Sequence, residues 1–338
     1  MVDLLSVENS QLNRGMQLLR DQVSARGWTA DVPYIGSPHC FIDRGDGKPI
    51  HIFATTPPDV SYATAHLAND KYATYQVLKQ LDVRQPETVL TLGSEPSSEV
   101  IDLLQRSKKV VVKPLDAGHG KGITVGVTSK DGLRLAMTYA LTHSRSSDKV
   151  IVQQQYEHPE IYDIRLTFIN FKFVAAMHRV PAWVATDGQS SLAELIDSEN
   201  ASDKRGVAYH SPLARIDAVA ACEYLGDEQL RVYPAGSEVQ VLGIANYGAG
   251  GEINDLTDEI PDWMLKIAEE IALKMQLPVC GIDFLTRRVP TATSTTEDLD
   301  AVLIEINKSP SLAIHDLPTN GQPRSAVSSY VDYLAHVG

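Results

Sequence analysis

Apolar residues recur at helical spacing near the start of the sequence and at strand spacing soon afterwards. Four of them lie three or four positions apart: Leu12, Met16, Leu19 and Val23. This spacing predicts a helix that begins after residue 9 or 10 and ends at Gly27. The turn sequence RGDGKP then separates the apolar runs CFI and IHIF. These runs predict a small sheet unit that closes near residue 60.

The middle of the chain alternates helical and strand patterns. The stretch ATAHLANDKYATYQVLKQLDV is typical of a helix. Strands are predicted at residues 109–113 and 123–127, followed by a helix at residues 131–142 and the strand KVIVQQQY. The segment DIRLTFINFKFVAAMHRVP has two apolar runs about Asn170, which predicts a hairpin.

The last third continues the mixed pattern. Helices are predicted near residues 192–196, 213–224 and 263–275, and the final strands are CGIDFLT and AVLIEIN. The Thr-rich stretch TATSTTEDLD is interpreted as an exposed loop. Helices and strands in this order predict an α/β (α+β) fold.

Composition and charge narrow the class of protein. With 338 residues, of which 43% are hydrophobic, the chain is long enough for two or three domains or subdomains. Its net charge of -13 argues against a protein that coats nucleic acid or an anionic membrane. The sequence shows neither a signal-peptide core nor a run long enough to span a membrane, so we expect a soluble, cytoplasmic protein. Its 3 cysteines are far apart, which predicts reduced, structural thiols.

A glycine-rich segment, VVVKPLDAGHGKGITVGV, sets Lys113 at the end of an apolar strand and then places glycines around a second lysine, Lys121. Ordering so many glycines costs backbone entropy, so the loop must gain something in return. Its exposed amides can cradle phosphate, although the spacing matches neither a P-loop nor a dinucleotide fingerprint. A flexible hairpin with solvated lysines is the alternative interpretation.

A second group of polar residues lies near the end of the chain, with Asp283 in GIDF and both Glu305 and Asn307 in LIEINKSP. Residues two apart on a strand share a face, and Asp283 can join them from a neighbouring strand. Two carboxylates and an amide oxygen are hard ligands that suit magnesium. The alternative is a strand end that faces water.

Together these motifs resemble an ATP-grasp carboxylate-amine ligase, with a pattern similar to the ATP-grasp part of cyanophycin synthetase and of the bifunctional glutathione synthetases. The pieces run in family order: LANDKYATYQVLKQLDV, the glycine-rich segment, DIRLTF, HRVPAWVATDGQSSLAELID, DKRGVAYHSPLARI, IANYGAGGEINDLTD, GIDF and LIEINKSPSLAIH. The resemblance implies an ATP-grasp fold with an N-terminal α/β region at residues 1–65. A central lid subdomain at 66–148 and a C-terminal antiparallel-sheet domain at 149–338 would follow, with ATP between the last two.

The resemblance also assigns a nucleotide and metal site. Lys71 and Lys113 would bind the phosphates, Asp163 lies near the acid that touches ribose, and Arg179 would stabilise the transferred phosphoryl group. The cofactors would be ATP and Mg²⁺, for which Mn²⁺ can substitute. The remaining assigned residues are the flap over the triphosphate (Gly118, His119, Gly120, Lys121 and Gly122), the adenine segment (Gln153, Gln154, Gln155 and Tyr156) and the magnesium ligands (Asp283, Glu305 and Asn307). The flap is expected to order chiefly when nucleotide binds.

The substrate side departs from the family pattern. NYGAGG stands where relatives usually show Ser-Thr-Gly-Gly, and DKRG carries one arginine where two are usual. The residues assigned to the substrate are Arg205, Asn246, Gly248, Gly250 and Gly251. Because two hydroxyl donors are missing, we expect a different acyl substrate. Gln153 also stands where an acidic residue is common, although an amide can accept a hydrogen bond from the adenine amino group.

The implied activity is ATP-dependent ligation of a carboxylate to an amine through an acyl phosphate, with an amino acid or short peptide as substrate. We expect no nucleic-acid or membrane partner, and a homodimer stays open. The alternatives are an ATP-grasp modifier of a protein or ribosomal peptide, a kinase that stops at the acyl phosphate, and a catalytically inactive nucleotide-binding module. The sequence shows no leader-peptide domain and no second catalytic domain, so the full activities of the larger relatives are not expected here.

Overall fold

The structure is a computed structural model that describes residues 1–118, 120–145 and 148–337. The chain divides into two compact units. The first unit comprises Met1–Asp59, Val174–Asp258 and Ser311–Gly338, and the second comprises Val60–Phe173 and Glu259–Pro310. The domain boundaries that the resemblance implies at residues 65 and 148 stay a prediction.

The strands are short and lie throughout the chain. In chain order they are β1 (Val2–Asp3), β2 (Thr29–Val32), β3 (His39–Asp43), β4 (Ile50–Phe53), β5 (Thr88–Leu92), β6 (Val110–Pro114), β7 (Thr124–Val127), β8 (Lys149–Gln154), β9 (Tyr162–Ile169), β10 (Lys172–Val180), β11 (Trp183–Ala185), β12 (Arg205–Gly206), β13 (Leu213–Ala214), β14 (Glu238–Gln240), β15 (Glu252–Asp255), β16 (Val279–Thr286) and β17 (Val302–Asn307).

The helices alternate with these strands. They are α1 (Arg14–Ala25), α2 (Tyr62–Asn69), α3 (Lys71–Leu78), α4 (Ser98–Ser107), α5 (Lys130–His143), α6 (Leu192–Asn200), α7 (Ala218–Leu225), α8 (Asp262–Lys274), α9 (Thr296–Leu299), α10 (Ala313–Asp316) and α11 (Ala326–Leu334). In the described part of the chain, no helix has the length and apolar character needed to cross a membrane.

The second unit contains a four-stranded antiparallel sheet in the order β5-β8-β6-β7. Helices α4 and α5 cover it, and Leu103, Leu133 and Met137 are fully buried in the shared core. Each such side chain contributes roughly 1.5–3 kcal/mol through burial. The sheet therefore holds β6 and β8, which carry Lys113 and Gln153, on a rigid support.

The same unit contains three further antiparallel strands, in which β16 lies between β9 and β17. The register sets Arg165 of β9 and Glu305 of β17 opposite Asp283 of β16. Residues directly opposite one another in neighbouring strands share a face of the sheet. Three charged side chains are thereby set in one row.

The first unit is built on the antiparallel sheet β1-β2-β3-β4. Helices α1 and α11 pack on each other and are joined by the ion pair between Arg26 and Asp332, at 2.5 Å. A smaller core lies where the strand pair β11 and β14 meets α6 and α7, around Val184, Leu192 and Ile196. Strand β15 pairs with β10 and sets Ile253 opposite Arg179.

Two predicted helices differ from the structure. The helix predicted near residues 213–224 begins only at Ala218, because Asp217 caps α7 and residues 213–214 pair as β13 with β12. The helix predicted through LANDKYATYQ is broken at Asp70, which ends α2 and caps α3 by accepting from the Ala73 amide at 2.8 Å. Local side chain to backbone hydrogen bonds of this kind compete with helix continuation.

Candidate active site

The break between α2 and α3 determines the position of Lys71. It is the first residue of α3, and its Nζ donates to the Ala117 carbonyl at 2.8 Å. The same ammonium pairs with Glu305 Oε1 at 3.1 Å. The break therefore brings a lysine to the loop after β6 and to one of the predicted metal ligands.

Lys113 extends from β6 to the side chain of Gln153 on β8. Its Nζ donates to Gln153 Oε1 at 2.8 Å, and Gln153 Nε2 donates to Thr88 Oγ1 at 2.9 Å. The Thr88 hydroxyl in turn donates to the Pro86 carbonyl at 2.9 Å. This chain of hydrogen bonds fixes the amide orientation of Gln153 and holds the ammonium of Lys113 in place.

Burial lowers the pKa of Lys113 to about 8; the charge of Lys71 acts in the same direction, and Glu305 opposes the shift. Desolvation penalises a charged ammonium, which explains the direction. The Lys113 ammonium is therefore protonated at pH 7 and neutral well above pH 8.

The resemblance predicts that Lys113 binds phosphate, and its charge is lost as pH rises through about 8, so we expect ADP binding, measured without metal, to weaken about tenfold between pH 7 and pH 9. Calorimetric titration across this range measures the effect. The matched variant Lys113→Arg keeps its charge at all these pH values. Equal slopes for the variant and the wild type would show that Lys113 does not carry the pH dependence.

Asp283 is fully buried and ion-paired. Arg165 donates to both of its oxygens at 2.6 Å, and Asn307 Nδ2 donates to Oδ2 at 3.1 Å. Glu305, opposite Asp283 in the register, is partly exposed and pairs with Lys71. The structure therefore brings Asp283, Glu305 and Asn307 together, as the sequence predicts, and adds Arg165.

This donor set fits magnesium by its chemistry. The described residues contain no cluster of three or more His, Cys, Asp and Glu side chains placed to hold a metal, but the predicted set has two carboxylates and an amide. All three are hard oxygen ligands by type, and Mg²⁺ commonly takes one or two carboxylates and keeps water and phosphate oxygens. In this structure Arg165 binds both oxygens of the fully buried Asp283, so Asp283 could hold a metal only by giving up part of that ion pair. In this structure the Lys71 ammonium pairs with the Glu305 carboxylate. A metal ion would therefore have to share that carboxylate with Lys71 or displace the lysine from it.

A cavity in the second unit joins most of these groups. Its polar lining includes Lys71, Lys113, Gln153 and Glu305, and its apolar lining includes Leu78, Ile151 and Leu303. Two cations, a carboxylate and apolar walls suit a ligand with a charged end and a flat apolar end. Lys113 and Glu305 line this one cavity, as the predicted arrangement requires.

The predicted adenine segment follows β8. Gln155 Oε1 accepts from the Gly126 amide at 2.7 Å, and the Gln154 and Gln155 amides donate to Glu87 and Lys109 carbonyls. Tyr156 is buried and donates to the Asp300 carbonyl at 3.1 Å; burial raises its pKa to about 12. Asp163 lies on β9, opposite Leu285.

The predicted phosphate flap lies between β6 and β7. Gly120 and Gly122 have positive φ angles of 75° and 72°, and a Cβ on Gly122 would come within 2.7 Å of His143 Cβ. The Lys121 amide donates to the Gly118 carbonyl at 3.3 Å. The prediction for His119 lies outside the described residues. Gly122 is thus required both by its backbone angle and by its close packing.

The predicted substrate residues lie in the first unit. Arg205 is buried and donates to Glu199 Oε1 at 2.8 Å, to the Ala214 carbonyl at 2.9 Å and to the Gly250 carbonyl at 2.8 Å. Asn246 Oδ1 accepts from the Gly248 amide at 2.9 Å. In this structure Arg205 therefore stabilises the loop that contains Gly250. The Arg205 side chain is only 1% exposed.

The glycines of this loop have packing reasons of their own. A Cβ on Gly250, whose φ is 108°, would lie 2.7 Å from Ile216 Cα, and one on Gly251 would lie 2.6 Å from the Val180 carbonyl oxygen. Arg179 lies on β10 beside His178, whose pKa burial lowers to about 4. His178 is therefore neutral near pH 7.

Sequence reasoning missed Arg165 and Thr88. The signal for Arg165 was present, because an arginine two positions after Asp163 in the apolar strand DIRLTFI shares a strand face with it. Thr88 has no such signal, since its role depends on the pairing of β5 with β8.

Comparison with known proteins identifies the class of domain that this chain contains. Residues 68–189 match the model of the RimK-like ATP-grasp domain. The chain is 31% identical over 335 residues to cyanophycin synthetase of Crocosphaera subtropica (strain ATCC 51142 / BH68), covering 96% of this chain and 37% of the relative. It is 25% identical over 302 residues to the glutathione biosynthesis bifunctional protein GshAB of Clostridium perfringens (strain 13 / Type A), covering 87% and 38%.

A solved structure agrees on the fold. The bifunctional glutathione synthetase from Pasteurella multocida aligns with a TM-score of 0.64 and 23% identity, covering 96% of this chain and 43% of that chain. The chain therefore carries a RimK-like ATP-grasp domain and has the ATP-grasp fold, which confirms both the resemblance and the fold class predicted from sequence. It is homologous to cyanophycin synthetases and to bifunctional glutathione synthetases, but spans only about a third of the length of these relatives.

Proposed function

We propose that this protein is an ATP-dependent carbon-nitrogen ligase that activates a carboxylate as an acyl phosphate and transfers the acyl group to an amine. The observation that carries the proposal is the cavity of the second unit, where Lys71, Lys113 and Glu305 converge. Homology to two kinds of synthetase supports the same conclusion.

The proposed roles follow from the charges. Phosphoryl transfer needs alignment and positive charge around the transferred group rather than covalent help from the protein. Lys71 and Lys113 supply cations for the phosphates. The role of Arg179, which lies in the first unit, stays a prediction from the family resemblance. Magnesium held by Asp283, Glu305 and Asn307, or manganese in its place, would neutralise charge on the phosphate oxygens. The amine then displaces phosphate from the acyl phosphate.

The proposed substrates are small. Relatives named for the synthesis of cyanophycin and glutathione support an amino acid or short peptide as substrate. The net charge of -13 supports the absence of a nucleic-acid partner. The cytoplasmic location and the homodimer remain predictions from the sequence.

A pairwise screen of amino acids and dipeptides tests the proposal. Phosphate release from ATP is measured for each pair, and the mass of the product is determined for the active pairs. A ligase releases phosphate only when both acid and amine are present, and yields a product lighter than the sum of the two by one water. Phosphate transfer to the acid without an amine would indicate a kinase, and a complete lack of ATP turnover would contradict the proposed activity.

Gln153 offers a sharper test of the phosphate site. Gln153→Leu removes the acceptor of the Lys113 ammonium and leaves Thr88 without its donor. Because hydrogen bonds to charged groups contribute about 1.5–3 kcal/mol, we expect ATP to bind roughly tenfold more weakly. Calorimetry measures the affinity, with Gln105→Leu, on the exposed face of α4, as the matched control. An unchanged ATP affinity would show that Lys113 needs no orientation by Gln153.

A further inference from the structure

A cavity of about 130 Å³ lies in the first unit at the beginning of α1. One side is formed by the first turn of α1, and the other by two tyrosines and small apolar side chains. The lining residues used below are Arg14, Gly15, Tyr209, Tyr247, Ala313 and Ile314. Of these, only Tyr247 lies within the segment that the sequence assigns to substrate binding.

The α1 side of the cavity carries positive charge. Arg14 has no carboxylate within ion-pairing distance among residues 1–118, 120–145 and 148–337. Asn13 caps the helix by accepting from the Met16 amide at 2.9 Å, and the Arg14 amide donates to the Tyr209 carbonyl at 2.8 Å. For the Gly15 amide, the described residues provide no acceptor. The Arg14 guanidinium interacts with the Tyr247 hydroxyl, a neutral partner that leaves its charge uncompensated. A guanidinium without a carboxylate and an open amide on one wall favour a carboxylate.

The opposite side is aromatic and apolar. The rings of Tyr209 and Tyr247 lie 5.6 Å apart, and the Tyr247 hydroxyl donates to the Pro212 carbonyl at 2.9 Å. Tyr209 has a φ angle of 65°, a strained conformation for a residue other than glycine. Together with Ala313 and Ile314, the rings offer a surface for hydrocarbon. Such strain is common where a side chain is held for binding.

Arg205 cannot supply the charge in this region without breaking its own contacts. It is bound to Glu199 and to two backbone carbonyls. Arg14 is bound to no carboxylate of the described chain, and it lines the same cavity as Tyr247. Among the described residues that line this cavity, Arg14 is the cationic side chain available to a ligand.

We propose that this cavity binds the carboxylate end of an amino acid or short peptide, with Arg14 as its counter-charge. The inference rests on the proposed ligase function, in which such a molecule is a substrate. An apolar cavity of about 150 Å³ holds benzene, so about six non-hydrogen atoms fit here. That is enough for a carboxylate, its α-carbon and a small side chain.

The experiment measures binding without ATP. The probes are the twenty amino acids and their alanyl dipeptides, each paired with its C-terminal amide, with saturation-transfer NMR followed by calorimetry. We expect at least one acid to bind the wild type at least tenfold more tightly than its amide. Arg14→Gln should weaken that acid about tenfold to a hundredfold and leave the amide unchanged. Arg231→Gln, an exposed arginine elsewhere in the first unit, should change neither.

Three outcomes would contradict the carboxylate proposal. If no acid in the panel binds, if acid and amide bind equally, or if Arg14→Gln keeps full affinity, the proposal is overturned. Arg14→Lys, which retains the charge, should bind with intermediate affinity and guards against misfolding of the glutamine variant. ADP binding is measured on the same samples. Its absence from the wild type would contradict the ligase function while leaving the carboxylate result interpretable.

Discussion

Replacing Glu305 with alanine is expected to lower ATP-dependent turnover by about a hundredfold or more while leaving the protein folded. The variant removes a proposed magnesium ligand, and a metal that polarises phosphoryl oxygens contributes several kcal/mol to catalysis. It also leaves Lys71 without its partner at 3.1 Å. Lys71 keeps its hydrogen bond to the Ala117 carbonyl, and the Glu305 side chain is itself 36% exposed, so we expect the loss of the ion pair to cost little stability.

The measurements are steady-state phosphate release and thermal unfolding of the same samples. Glu269→Ala is the matched control, since it removes an exposed glutamate from α8 in the same unit. We expect it to retain the turnover of the wild type. Wild-type turnover by Glu305→Ala would show that the row on β16 and β17 is not the metal site. A large loss of stability would mean that Glu305 acts mainly in the fold.

The proposed metal ligands Glu305 and Asn307 could be predicted from the sequence because their shared strand face depends on local periodicity. Glu305 and Asn307 are two apart on a strand, and GIDF supplies a neighbour of the right type. The register that sets Asp283 opposite Glu305 arises from the pairing of strands about twenty residues apart. The pairing of Asp283 with Arg165 involves residues more than a hundred apart. No local sequence pattern predicts that contact.

The helix break at Asp70 shows that local sequence patterns also fail to predict structure at shorter range. Helical periodicity continues through LANDKYATYQ, so the sequence predicts one helix. Asp70 ends α2 and begins α3, with its side chain on the Ala73 amide. An aspartate inside a helical pattern can be an exposed residue or a cap. The difference decides whether Lys71 lies at the middle of a helix or at its first turn, beside Glu305.

Arg14 illustrates a different limit of prediction from sequence, because its role depends on a cavity. Its position in the sequence predicts only a helix terminus, and the α1 prediction placed the beginning of the helix a few residues early. The cavity depends on Tyr209, Tyr247 and Ala313, which come from three distant parts of the chain. Sequence similarity to the family pointed instead to Arg205. Only the structure shows that Arg205 is already bound by Glu199 and by the loop backbone.

Replacing Asp283 with asparagine should lower the free energy of unfolding by about 3–5 kcal/mol, in contrast to the change at Glu305. Asp283 is fully buried, and both of its oxygens accept from Arg165. Removing one member of a buried ion pair leaves the other charge without compensation, which is the costly case. Two residues predicted to bind the same metal are thus expected to differ in what their loss does to the fold.

Urea unfolding of the metal-free protein measures this difference. Asp102→Asn, on the exposed face of α4, is the matched control and should stay within about 0.5 kcal/mol of the wild type. Replacing both partners, as Arg165→Leu with Asp283→Leu, should recover much of the lost stability, since a well-packed apolar pair can substitute for a buried ion pair. If Asp283→Asn were as stable as the wild type, the Arg165 pair would contribute little to folding, and the burial of Asp283 would need a different explanation. If the double leucine variant were no more stable than Asp283→Asn, the loss would come from the packing at β16 rather than from an unpaired charge.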